Sequence, residues 1–329
     1  MKSWRAERFG STSEVLRLCE VALPKPAPGQ IALKVRAAAV ALPDVLMLQG
    51  KYPLLPNPPI APGMEVAGEV MMVGGGAKYG LGDRVMAIAG SMKGWGSLAE
   101  YCLADAANSM PIPASMSDAE AAGFMVAFKT AYVALAIRTP IQAGDTLLVL
   151  GAAGSTGAAT VLLGKALGAQ VIAVASSAEK VAFCREIGAD QVLNHRDGDI
   201  TERVKELTGG RGVDIVFDPV GGELAKQAMG CMARHGRFGV VGYASGEWAP
   251  VSVIAAVLNN YSLAGVFAGN LSNQETEQMF SELLRLAEAG LIHTPVRRVF
   301  SFTQVPEALN LLETRKQGGR IVIDMNLPR

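Results

Sequence analysis

Gly151, Gly154 and Gly157 fall at every third position in a run that also holds Ala152, Ser155 and Thr156. A turn bare of side chains lets a pyrophosphate lie against the backbone, and a helix starting there offers unpaired N–H groups and a positive dipole end. The chemistry this spacing points to is dinucleotide binding. The commoner fingerprint is Gly-x-Gly-x-x-Gly, so the weight comes from context. The apolar run Thr146–Leu150 precedes the loop, an alanine- and leucine-rich segment to Gly168 follows it, and the strand-like Gln170–Ala175 arrives where a βαβ unit needs it.

The ribose end of such a site is read from charge. NAD-binding folds usually place an acid about twenty residues past the first glycine, to accept from the 2′-hydroxyl. Here that place reads Val174, Ala175, Ser176, Ser177, with Lys180 four residues beyond Ser176. Two hydroxyls and an ammonium suit a 2′-phosphate, so NADPH is the expected cofactor.

Other chemistries find little support. Cys19, Cys102, Cys184 and Cys231 are far apart, and His195, His235 and His293 are scattered, so neither a zinc spacing nor a nucleophile–base arrangement emerges. Thirty acidic and thirty basic residues balance, which argues against nucleic acid or a membrane surface as partner. No apolar run is long enough to span a bilayer, and the charged start Met1–Arg8 does not read as a signal peptide. A cytoplasmic protein is expected.

The elements that must position these residues change in kind along the chain. Up to about residue 120 the pattern is β-rich, with strand-like segments at Leu16–Leu23, Gln30–Ala39, Glu65–Val73 and Asp83–Ala89 and a proline-rich crossing over 53–62. Ser117 caps a helical pattern running to Leu135. From Thr146, six strand-like segments alternate with helical ones as far as Ser262–Phe267, which makes a doubly wound α/β sheet. An amphipathic helix over Ser272–Ala289, a strand at Pro295–Phe300, a helix over Gln304–Arg315 and a strand at Gly319–Asp324 then return to the first domain.

This order of parts, with the motifs Pro43–Pro53, Pro62–Val70, Thr130–Leu135, Gly151–Gly157, Ala175–Lys180, Asp214–Gly222, Gly236–Gly246 and Gly318–Val322, resembles the medium-chain dehydrogenase/reductase superfamily. The best fit is its zinc-free NADPH:quinone oxidoreductase (zeta-crystallin-like) branch. The resemblance implies a Rossmann doubly wound parallel sheet inserted in a β-rich GroES-like catalytic domain, with boundaries at 1–124, 125–268 and 269–329. It implies hydride transfer from NADPH to a quinone, with Tyr52 on the substrate side and Thr130 beside the nicotinamide. In that branch a serine and a lysine at Ser176 and Lys180 bind the 2′-phosphate. Asn194 and His195 fall near the adenine ribose, where relatives have Asn-Tyr. Val241, Gly242 and Tyr243, with Phe267, Ala268 and Gly269, line the nicotinamide crevice. Arg320 matches a basic residue touching the cofactor, and Arg315 is a second candidate. Zinc-dependent relatives place a cysteine near Ala41 and a His-Glu pair where Met64-Glu65 stands, so no zinc is expected. Quinone reductases often have an asparagine at Ala41. Its absence keeps an enoyl-CoA or enone reductase, and a catalytically idle dinucleotide-binding relative, as alternatives. Relatives pair through the edge of the nucleotide-domain sheet, and the apolar Ser262–Phe267 strand needs a cover, so a homodimer is expected.

Overall fold

The computed structural model describes residues 1–55, 57–314 and 318–328. They form two units, one made of Met1–Val126 and Thr294–Arg329, the other of Ala127–His293. The long helix Asn273–Glu288 therefore belongs to the second unit, and the chain returns to the first only at Thr294.

In the β-rich unit, Gln30–Val40 is the hub of a six-stranded sheet. It runs antiparallel to Glu65–Val73, Tyr101–Pro111 and Arg320–Asp324. Ile31, Leu33, Val35, Ala38 and Val40 are all buried in its core. Tyr101–Pro111 and the short strand Lys2–Ala6 go beyond the sequence reading. The alanines, Asp105, Asn108 and Ser109 of Tyr101–Pro111 carry little strand propensity. Pairing with Gln30–Lys34 on one side and Val85–Ala89 on the other decides its conformation.

Ser117 does cap a helix: its Oγ accepts from the Glu120 N–H, and the Glu120 carboxylate accepts from the Ser117 N–H. That helix, Asp118–Ala122, stops at Gly123 instead of running to Leu135. A Cβ on Gly123 would stand 2.7 Å from Arg320 Cγ, so the chain can pass there only without a side chain. Helical backbone resumes at Met125–Tyr132 and ends in a π turn over Val133–Arg138.

The second unit is built on six parallel strands: β1 (Thr146–Val149), β2 (Gln170–Ala175), β3 (Gln191–Asn194), β4 (Val213–Asp218), β5 (Met232–Val240) and β6 (Ser262–Gly265). Their spatial order is β6-β5-β4-β1-β2-β3. Chain order reverses between β1 and β4. In such sheets a crevice opens outside the carboxyl ends of the two strands at that switch point. Leu148, Ile172, Val174, Val216 and Phe238 fill the layer under the helices, so the strand ends rest on a packed base. Val253–Asn259 is a further helix that the sequence reading did not find. Among the described residues no helix is long and apolar enough to cross a membrane.

Candidate cofactor and active site

The loop after β1 and the turn after β4 meet at the switch point. Gly151 has φ +57°, and a Cβ on it would lie 2.9 Å from Val220 Cγ2. A Cβ on Gly157 would collide with the Gly151 carbonyl. The loop is thus folded so tightly that side chains at its first and last glycines have no room. The helix Ser155–Ala166 starts directly from Gly154, and no side chain caps it. Its first N–H groups are left for a ligand.

Asp218, at the end of β4, holds the opposite wall. Its Oδ1 accepts from the Val220 and Gly221 N–H groups at 2.9 and 2.8 Å. Its backbone carbonyl accepts from Val241 and Gly242, the residues that follow β5. Asp218 Oδ2 is buried with no hydrogen-bond partner. Burial pushes this carboxyl above the usual aspartate range, against the pull of the two N–H groups. Beyond β5, the Tyr243 and Trp248 rings stack with centroids 4.6 Å apart. Phe267, just past β6, is exposed.

At the end of β2, Lys180 Nζ donates to Ser176 Oγ at 3.3 Å. Ser177 caps the helix Ala178–Glu186, accepting from the Lys180 N–H. Ala175 pairs with Asn194 of β3, so the residues after each, Ser176 and His195, leave the sheet side by side. No carboxylate stands at the end of β2, where Ala175, Ser176 and Ser177 follow one another.

The β-rich unit holds a separate cluster of buried charge. Asp44, fully buried, accepts from the Ala41 N–H and the Gly63 N–H, both at 2.8 Å. Glu65 Oε1 accepts from the Val126 N–H at 2.8 Å, and Glu65 Oε2 pairs with Arg320 NH2. Arg320 is 2% exposed. Burial raises the Asp44 carboxyl from 3.8 to about 6, opposed by those N–H groups and by the Arg320 charge. Burial also brings Arg320 down to about 10. One guanidinium therefore serves two buried carboxyls. Among the described residues, no three His, Cys, Asp or Glu side chains gather to hold a metal ion.

Comparison with known proteins decides the family. Residues 156–288 match the family described as zinc-binding dehydrogenase, and residues 27–114 the alcohol dehydrogenase GroES-like domain. Quinone oxidoreductase-like protein 2 of Bos taurus is 32% identical over 330 residues, covering 98% of this chain and 93% of that protein. The chain belongs to the quinone oxidoreductase branch of the medium-chain dehydrogenase/reductase superfamily. The Escherichia coli quinone oxidoreductase complexed with NADPH superposes with a TM-score of 0.90 at 27% identity, covering 98% of this chain and 100% of that one. The mycobacterial protein Rv1454c complexed with NADPH gives 0.90 at 29% identity, with the same coverage.

The residues expected to serve this medium-chain oxidoreductase distribute as follows. Gly151, Ala152, Gly154, Ser155, Thr156, Gly157, Ser176, Ser177, Lys180, Asn194, His195, Val241, Gly242, Tyr243, Phe267, Ala268 and Gly269 all lie at or just past the carboxyl ends of the parallel strands. Thr130 is on the helix Met125–Tyr132 of the same unit. Tyr52 is in the β-rich unit, half-buried on the edge of its core. Arg320 is there too, buried, with its guanidinium paired with Glu65. Arg315 lies outside the described residues. The sequence reading gave no role to Asp44, Glu65 or Asp218. The one available signal for Asp218 was its place at a strand end before Pro219, Val220, Gly221 and Gly222.

Proposed function

We propose that the protein is a zinc-independent oxidoreductase that uses NADPH to reduce a quinone-type acceptor. The observation that carries the cofactor choice is the Lys180 ammonium resting on the Ser176 hydroxyl where NAD-selective folds place an acid. The NADPH complexes of the two structural neighbours support it.

Gly151, Gly154 and Gly157 with the Ser155–Ala166 helix end would hold the pyrophosphate. Ser176, Ser177 and Lys180 would hold the 2′-phosphate, and Val241 to Tyr243 and Phe267 to Gly269 the nicotinamide end. Bound there, NADPH supplies a hydride. The chain's own work is to orient acceptor and cofactor and keep water out. Tyr52 and Thr130 are the hydroxyls assigned to the acceptor and nicotinamide ends, and a hydroxyl donating to the acceptor oxygen stabilises the charge gathering there. Zinc independence is supported by Ala41 and Met64, which offer no ligand atom of the kind zinc needs. The neighbouring carboxylates are committed elsewhere, Asp44 to backbone N–H groups and Glu65 to Arg320 and Val126.

Purified protein treated with chelator is expected to oxidise NADPH with p-benzoquinone and 9,10-phenanthrenequinone, and much more slowly with crotonyl-CoA. Faster turnover of crotonyl-CoA would establish an enoyl reductase instead. Cofactor binding with no turnover of any acceptor would establish an idle relative.

The same reading includes a homodimer. Among the described residues β6 is the last strand of the sheet, with β5 beside it. Beside it in sequence, Val253, Ile254, Val257 and Leu258 present one exposed face of the helix Val253–Asn259. A second copy related by a two-fold axis pairs its own β6 edge with this one and covers the same apolar residues. Sedimentation at micromolar concentration is expected to give twice the 34.4 kDa chain mass. In that experiment Val257→Glu is expected to give monomers. A wild-type chain sedimenting at its own mass would reject the dimer.

A further inference from the structure

His195 is the first residue past β3, in a turn that follows Asn194. The parallel register of β2 and β3 sets Asn194 opposite Ala175. His195 and Ser176 are therefore the next residues on two adjacent strand ends, and Lys180 Nζ sits on Ser176 Oγ. The half-buried imidazole is held below its ordinary pKa by desolvation first, then by the cationic Arg196 and Lys180. The remaining charged residues of these elements are Asp197, whose Oδ1 accepts from Asn194 Nδ2 at 2.8 Å, and Glu179, Arg185 and Glu186 on the helix Ala178–Glu186. In the free protein, then, burial and two nearby cations disfavour protonation of the imidazole.

A dianionic 2′-phosphate seated at Ser176 and Lys180 reverses the sign of that field. An opposite charge within hydrogen-bonding reach raises a histidine pKa, and an imidazolium donates a stronger hydrogen bond to phosphate than a neutral ring does. We propose that His195, on the strand end beside Ser176 and Lys180, takes up a proton from solvent as the NADPH 2′-phosphate binds there. The proton adds to the unprotonated ring nitrogen and returns to solvent when the cofactor leaves. NADH, with no phosphate at that position, gives His195 no reason to protonate. This rests on the NADPH reading above.

The linkage has a definite sign. A group whose pKa is higher in the complex than in the free protein binds protons with the ligand, so affinity falls as pH rises through the bound-state pKa. One proton gives a slope of at most about tenfold per pH unit. At the acid end the phosphate itself protonates, with a second pKa near 6, and affinity falls there for a different reason.

The test is calorimetric titration with 2′,5′-ADP and with NADH between about pH 6 and 8.5, in buffers of different ionisation enthalpy. Wild-type protein is expected to take up a fraction of a proton with 2′,5′-ADP near neutral pH and none with NADH. Its affinity for 2′,5′-ADP is expected to decline on the alkaline side. His195→Gln is expected to abolish both the uptake and the alkaline decline, and whatever change it makes to NADH affinity is expected to be the same at every pH. Its loss of affinity for 2′,5′-ADP is then roughly tenfold at the acid end of the range and close to nothing at the alkaline end. An alkaline decline that persists in His195→Gln, or a loss equal at every pH and shared with NADH, would overturn the role of His195. No wild-type preference for NADPH over NADH at any pH would overturn the cofactor reading itself.

Discussion

Arg320→Met is expected to lower the stability of the β-rich unit by about 3–5 kcal/mol at neutral pH, because it leaves buried carboxyls without their counter-charge. The methionine fills much of the arginine's volume, so the loss comes mainly from charge. Glu65 Oε2 loses the guanidinium it meets, and Asp44 loses the positive charge that draws its pKa down. The pH dependence follows from the Asp44 shift. Its folded-state value of about 6 lies above its ordinary 3.8, so the ionised form is the one that burial penalises. The penalty is absent in acid, grows as pH rises from the unfolded value to the folded one, and is constant above that. Removing Arg320 raises the folded value further and widens this window. The gap between Arg320→Met and wild type should therefore shrink as pH is lowered from about 8 to 5. Urea unfolding followed by tryptophan fluorescence at both pH values measures it. Equal midpoints for the two proteins at the higher pH would show that the pair contributes nothing.

The second large effect is on coenzyme choice. Lys180→Met keeps the aliphatic stem of the side chain and deletes the ammonium that donates to Ser176 Oγ. A hydrogen bond to a charged group is worth about 1.5–3 kcal/mol, so NADPH affinity should fall about 10- to 100-fold. NADH has only a 2′-hydroxyl at that place and should lose less than about twofold. The Lys180 N–H that Ser177 caps is backbone and survives the substitution, so the helix start should be undisturbed. Equal weakening of both coenzymes would mean that Lys180 supports the fold and does not read the phosphate.

The parts of this molecule legible in the sequence were those whose cause is local. The Gly151–Gly157 loop announces itself by spacing, and the strands and helices from Thr146 onward by alternating periods, so the doubly wound sheet is written in local pattern. The Ser176–Lys180 pairing follows from two residues one helical turn apart. What escaped was set by distant partners. Asp44, Glu65 and Arg320 come from three separated segments and meet only because Arg320–Asp324 pairs with Gln30–Val40, which in turn pairs with Glu65–Val73. The same Arg320 explains why the helix expected to reach Leu135 breaks at Gly123. Tyr101–Pro111 is a strand because it has neighbours on both sides, despite its composition. Val253–Asn259 is short and rich in valine and isoleucine, types that favour strands, so its helical form was hidden.

The proposed phosphate site at Ser176 and Lys180, beyond β2, is tested most directly by equilibrium titration of wild-type protein with NADPH and NADH, each followed by coenzyme fluorescence. Tighter binding of NADPH by at least about tenfold, narrowing as salt is added, is the predicted result. Equal affinity for the two coenzymes, or tighter binding of NADH, would contradict it.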